Sequence, residues 1–162
     1  MEEARGDAGL TLSESLARAN NRFLDRLRHR TAFEAAKRDG TAHDVSALEG
    51  HKYCLLTTFR RDGTPVPSPV WFGLGDGKLY LRSEAHVGKV KRVRNDPHVR
   101  VAPCSFRGKP LGPATEGTAR VLSADEEARA EAAIAANYGA GRRIYEGMGG
   151  GLELVYLEVT PS

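Results

Sequence analysis

The residues best suited to chemistry fall in the stretch 78–104. A run of alternating character, Lys78-Leu79-Tyr80-Leu81-Arg82-Ser83, ends in a cation and a hydroxyl. A short turn follows, and Val87-Gly88-Lys89 then opens a basic segment that also carries Lys91, Arg92 and Arg94. The first run reads as a strand, the basic segment as a helix, and residues 98–104 as a second strand. Backbone N–H groups at a helix start lack intrahelical partners, and the helix dipole adds partial positive charge there. Gly88 carries no side chain, so an anion can approach the backbone closely. The spacing reads as a phosphate grip, reinforced by Arg82 and Ser83 just upstream. The plainer alternative is a solvated helix face with Val87, Val90 and Val93 as its buried side. A nucleic-acid surface would interleave exposed aromatic residues with the cations, and none stands here.

A second feature is Pro67-Ser68-Pro69-Val70-Trp71-Phe72. With Pro65, prolines occupy three alternate positions of one apolar run. Proline cannot donate to a ladder, so this strand faces an edge, a bulge or a ligand. A flat heteroaromatic ring with imide-like edges could take up the backbone groups left over. Trp71 is the only tryptophan, and in isolation it is more often a core residue than a stacking platform. Nucleophilic and metal chemistry find little support. The five histidines show no His-Glu-x-x-His or other ligand spacing, and no Gly-x-Ser-x-Gly elbow or nucleotide-binding glycine pattern occurs. No metal is expected, and no side chain is assigned a catalytic role. An enzyme without an evident acid, base or nucleophile leaves its chemistry to a cofactor.

The elements that must position these residues are mostly strands. Residues 52–60 form one β-like run, and Asp62-Gly63 joins it to a second over 65–73, a strong hairpin signal. Leu74-Gly75-Asp76-Gly77 is another tight turn. Asn95-Asp96-Pro97 ends the basic helix, because the residue before a proline disfavours helix. Strands over 114–122 and 152–159 flank an alanine-rich helix that starts at a capping box, Ser123 and Glu126, and stops at Gly139. Upstream, Thr11 and Glu14 have the same capping spacing, and Leu16, Phe23, Leu24 and Leu27 recur on one helical face. A further short helix over 31–37 ends at Asp39-Gly40. Several strands are apolar on both faces, and no strand–helix–strand alternation marks a parallel sheet. The expected fold is therefore mainly β with peripheral helices. It is a six-stranded antiparallel barrel over 51–162 with an N-terminal helical extension over 1–50.

Composition bounds the rest. A chain of 162 residues is one domain by size, with room for a real core. A net charge of +3 suits a polyanionic small ligand and is too small to argue for nucleic acid. Cys54 and Cys104 each sit in an apolar run without paired or metal spacing, so two buried thiols are expected. No apolar run is long enough to cross a bilayer, and no secretory pattern opens the chain, so a cytoplasmic location is expected.

Read together, "TTFRRDGTPVPSPVWF", "DGKLYLRSEAHVGKVKRVRNDPHVRVAPC" and "RGKPLGPATEGTARVL" resemble the flavin and deazaflavin oxidoreductases of the pyridoxamine-phosphate-oxidase-like superfamily. Within it the coenzyme F420-dependent branch is the most similar. The resemblance covers residues 52–122 closely and the final strand more loosely. It implies an FMN-binding type of split β-barrel, assembled as a homodimer with cofactor in grooves between subunits. It implies that Arg82, Ser83, Gly88 and Lys89 hold the cofactor phosphate, with Lys91 or Arg92 near an anionic tail. Pro67, Ser68, Pro69, Val70 and Trp71 would line the ring. Val87 departs from relatives that carry a small hydroxyl residue there, which removes one phosphate donor. The implied activity is hydride transfer from reduced F420 to a small organic acceptor. FMN in the same barrel is the alternative, and a non-catalytic carrier of a cofactor or tetrapyrrole is a third reading.

Overall fold

The computed structural model describes residues 28–139 and 151–162. The helix expected over 11–27 lies outside the described residues. From Arg28 onward the elements are α1 (Arg30–Ala36), a 3-10 turn (Ser46–Leu48), β1 (Tyr53–Phe59), β2 (Pro65–Val70) and β3 (Gly73–Gly75). Then come β4 (Lys78–Glu84), α2 (Gly88–Asn95), β5 (His98–Cys104), β6 (Thr115–Val121), a 3-10 turn (Ala124–Glu126), α3 (Glu127–Tyr138) and β7 (Leu154–Pro161).

All strands join one antiparallel sheet in the order β2-β1-β5-β6-β7-β4-β3. The two edge strands, β2 and β3, are consecutive in the chain and separated only by Trp71 and Phe72. That connection brings the edges round toward each other, so the sheet curls into a split barrel. The mainly β, antiparallel expectation holds, with one correction: the described residues form seven strands, not six. The extra one is β3, whose Gly73 and Gly75 pair with Tyr80 and Lys78. Two glycines in three residues mimic a turn. The true turn is Asp76-Gly77, where both residues take positive φ (53° and 72°), as a two-residue primed hairpin requires.

Period-two alternation divides every strand between an inner and an outer face. Inner residues such as Cys54, Leu56, Leu79, Leu81 and Leu157 build the main core, and Val90 and Val93 of α2 belong to it. Each buried leucine contributes about 1.5–3 kcal/mol relative to exposure. The outer face carries two smaller cores. Ala32 of α1 packs on Leu55, Ala102 and Cys104, while Ala130 and Ile134 of α3 pack with Tyr80 and Leu122. Gly73 is where α3 comes closest: a Cβ there would lie 2.2 Å from the backbone of Ala133. Both cysteines are buried and free, as expected, and burial pushes the Cys104 thiol up to about 12.

On the outer face of the sheet, Glu158 of β7 is only 2% exposed and bonds Lys78 (3.2 Å), Arg120 (3.0 Å) and Arg129 (3.1 Å). These three cations tie β4, β6 and α3 to β7. A buried carboxylate left without any of these cations would be an uncompensated charge, which is strongly destabilising.

Candidate functional site

The start of α2 is built by its sequence to stay open. Val87 holds the N-cap position in extended conformation, makes no side-chain cap, and packs its methyls on the main core instead. The first turn holds no acidic residue to compensate the dipole. Gly88 is exposed, and a Cβ on it would lie 2.8 Å from Nη1 of Arg92, so the guanidinium folds back one turn to lie beside the bare backbone. Arg92 is itself fixed, since its Nε donates to Oγ1 of Thr58 at 2.7 Å. Thr58 sits on the inner face of β1, and its hydroxyl points on to the Val66 carbonyl of β2, 3.5 Å away. One arginine and one hydroxyl thus link the helix start to the proline-bearing strand. Lys89 is half-buried and Lys91 exposed on the same helix.

The edge of β2 has an unusual polarity. Val66, Ser68 and Val70 lie opposite Thr58, Leu56 and Cys54, while Pro65, Pro67 and Pro69 lie opposite Phe59, Thr57 and Leu55. In an antiparallel pair, alternate residues point both backbone groups at the partner or both away. Prolines have no N–H, so they take the outward-pointing positions. The open edge therefore offers three carbonyl acceptors and no donor. Such an edge resists pairing with another strand, and it also suits a ligand whose rim carries N–H groups.

The strand's side chains do not share a face. Ser68 and Val70 turn inward, and Pro67 and Pro69 turn outward, where Pro69 lies under Gly108 and near Ala32 of α1. Trp71 has one ring face covered: it stacks on Tyr138 at 4.3 Å and 14°, with Tyr53 edge-on at 6.5 Å. Tyr138 accepts from the Phe72 N–H (2.9 Å) and donates to the Lys52 carbonyl. Asn137 donates to the carbonyls of Phe72 (3.0 Å) and His51 (3.2 Å). The end of α3 thereby fixes the Trp71-Phe72 connector where the barrel is split. Burial pushes the Tyr138 phenol well above its ordinary value, so it stays a donor at neutral pH.

Arg82 and Ser83 are adjacent on β4 and so face opposite sides. Ser83 is buried inward, its hydroxyl 3.4 Å from the Glu84 carbonyl. Arg82 faces outward opposite Tyr156 of β7, whose hydroxyl donates to Glu131 of α3. Burial, and next that carboxylate, raise the Tyr156 phenol to about 12. The structure thus brings Gly88, Arg92 and β2 together and turns Arg82 to the far side of the sheet. Thr58, Asn137 and Tyr138 did not stand out in the sequence. Thr58 did leave a trace, as a hydroxyl at an inward position of an apolar run. The two α3 residues left none. Among the described residues no group of three His, Cys, Asp or Glu side chains could hold a metal ion, and no helix is long and apolar enough to cross a membrane.

Solved structures with this fold include HutZ, the heme storage protein of Vibrio cholerae. It is 14% identical with a TM-score of 0.56, over 70% of this chain and 84% of that one. A FAD-binding protein of Mesorhizobium loti is 17% identical with a TM-score of 0.54, over 73% and 84%. A heme binding protein of Mycobacterium smegmatis is 22% identical with a TM-score of 0.53, over 82% of this chain and 51% of that one. At these identities the likeness is one of fold. No curated protein matches the chain. Residues 41–161, which take in all seven strands, match the pyridoxamine 5′-phosphate oxidase family, and the chain belongs to it.

Proposed function

We propose that this chain is an oxidoreductase that works through a flavin-type cofactor, with F420 as the cofactor and a small organic molecule as hydride acceptor. The observation that carries the reading is the bare start of α2, walled by Arg92 and linked through Thr58 to the acceptor-only edge of β2. A cofactor with a phosphate at one end and an N–H-bearing ring at the other matches those two features in kind. Gly88, Lys89 and Arg92 would hold the phosphate, and the exposed Lys91 would face an anionic tail. The carbonyls of Pro65, Pro67 and Pro69 would accept from the ring, with Ser68, Val70 and Trp71 in the same strand and its continuation. Ser83 would shape the site from the inner face of β4. When bound, the deazaflavin supplies hydride transfer. The protein's own part is to anchor, orient and shield. A homodimer that closes the site between subunits, in the cytoplasm, completes the proposal.

FMN fits the same grip, because the phosphate and the imide-bearing rim are common to both molecules. The discriminating experiment is a fluorescence titration of the protein with F420 and with FMN. An assay of reduced F420 oxidation against enones and quinones then follows. Binding and turnover with F420 are expected; FMN binding alone selects the alternative, and tight binding without turnover selects a carrier. Lys89→Ala should weaken cofactor binding by about 1.5–3 kcal/mol, the scale of a charge-assisted hydrogen bond. Unchanged affinity would sink the phosphate assignment.

A further inference from the structure

We propose that Asn137 and Tyr138, the last two residues of α3, are positioning residues for the ring end of the cofactor site, acting through the Trp71-Phe72 connector without touching the ligand. This role rests on the cofactor reading above and adds to it how the acceptor-only edge of β2 is held in place. β2 needs such help. It is an edge strand bonded on one side, to β1, and half of its six residues are prolines that donate nothing. The end of a strand held so lightly opens at low cost. Its first end is secured by the tight hairpin, where the Arg60 N–H donates to the Thr64 carbonyl (3.0 Å) and the Gly63 N–H to the Arg60 carbonyl (2.9 Å). Its other end, Val70, runs directly into the connector.

There α3 takes over. Both backbone groups of Phe72 are engaged by its side chains: the N–H donates to the Tyr138 hydroxyl at 2.9 Å, and the carbonyl accepts from Asn137 at 3.0 Å. The same two side chains donate to the carbonyls of Lys52 and His51, immediately before β1. One helix end thus sets the exit of β2 against the entry of β1, from outside the ladder. The Phe72 ring is buried in the main core, and the Trp71 ring lies stacked on Tyr138, so the connector is held by side chain and backbone together. This clasp is remote from the phosphate grip. Arg92 reaches Thr58, opposite Val66 near the start of β2, and Trp71 lies about 17 Å further along an extended strand. Loosening the clasp should therefore disturb the ring end alone, whereas a general weakening of the barrel would disturb both ends.

Two ligand pairs separate the ends in the full chain: F420 with its phosphate-free deazariboflavin, and FMN with riboflavin. Whichever pair the wild type binds is titrated by fluorescence. The ratio of the two dissociation constants reports the phosphate end, and their common level reports the ring end. Tyr138→Phe keeps the stack on Trp71 and removes the hydroxyl. Both affinities should fall together by about three- to tenfold, the scale of one hydrogen bond, with their ratio unchanged. Asn137→Ala should repeat this pattern, and it carries the test if Tyr138→Phe does not fold. Ile134→Val, which thins the buried packing of the same helix, should lower Tm and leave both affinities in place. Unchanged affinities in the clasp variants, a shifted ratio, or an equal loss in Ile134→Val each overturns the positioning role and leaves the cofactor reading standing. A wild type that binds neither pair overturns the cofactor reading, and the positioning role with it.

Discussion

Two helices of this barrel begin in opposite ways. The helical stretch that becomes α3 starts at Ser123, whose N–H (3.2 Å) and hydroxyl (2.9 Å) both donate to the Glu126 carboxylate, while the Glu126 N–H donates back to the Ser123 carbonyl at 3.0 Å. Asp125, Glu126 and Glu127 lie in its first turns, and Arg120 grips Glu126 with two bonds of 2.7 and 2.8 Å. That start compensates its own dipole. The start of α2 has a valine at the cap, no acid in the first turn, Lys89 as its second residue, and the Arg92 guanidinium folded back from the last turn toward Gly88. Positive charge at a helix N-terminus opposes the dipole and is unfavourable by some tenths of a kcal/mol. A chain that knows how to cap a helix leaves this one uncapped and overcharged. The difference supports the proposed reading, in which an anion from outside completes α2.

The largest expected effect that breaks the contrast is at Gly88. Its Cβ would displace only the far end of the flexible Arg92 side chain, so Gly88→Ala should fold normally. It should gain slightly in stability from the lower backbone entropy of the unfolded chain. The cradle, however, would lose its wall and its closest approach to the backbone. Affinity for the phosphate-bearing cofactor should fall about tenfold, near 1.4 kcal/mol. Parallel titration and thermal melts check both halves; equal affinity in the variant means that the bare backbone of α2 holds no anion.

A smaller effect is expected at the self-sufficient helix. Ser123→Ala removes the hydroxyl bond to Glu126 and leaves the N–H bond in place. Loss of a cap of this kind should lower Tm by about 2–4 °C. Cofactor affinity should not move, because α3 begins on a surface remote in the sheet order from β2. A Ser123→Ala variant that melts normally but binds cofactor poorly would reverse the roles assigned to the two helix starts.

Both helix starts were legible in the amino-acid sequence, since capping depends on residues within one turn. Asp62-Gly63 and Asp76-Gly77 fixed two hairpins for the same reason. What could not be read is non-local or depends on register. β3 hides in a glycine-rich segment because its strand character comes from pairing with β4, not from its own residues. Arg82 and Ser83 look like one grip in the sequence, yet alternation sends them to opposite faces. Asn137 and Tyr138 look like an ordinary helix end. Their bonds to Phe72 and to His51 and Lys52 span more than sixty residues and leave no local mark.

Acid should separate the two helix starts most finely. Hydrogen bonds from Arg120, then from the Ser123 N–H and hydroxyl, hold the Glu126 carboxyl down from an ordinary 4.5 to about 2. A carboxyl depressed by folding contributes its full stabilisation above the unfolded value, and that contribution is lost as pH falls toward the folded one. For Glu126 the window runs from about 4.5 down to about 2. Glu158 acts in the same sense. Burial pushes its carboxyl up, but hydrogen bonds from Lys78 and Arg120 outweigh this and leave it lowered. The first turn of α2 has no carboxyl to protonate, so its own capping adds nothing to this pH dependence. Urea-unfolding midpoints should therefore decline as pH is lowered through this window. In Glu126→Gln the decline should be shallower, from a lower starting stability at neutral pH. If the variant loses stability with acid as steeply as the wild type, Glu126 is not the group that anchors α3, and the contrast between the two starts rests on Val87 and Gly88 alone.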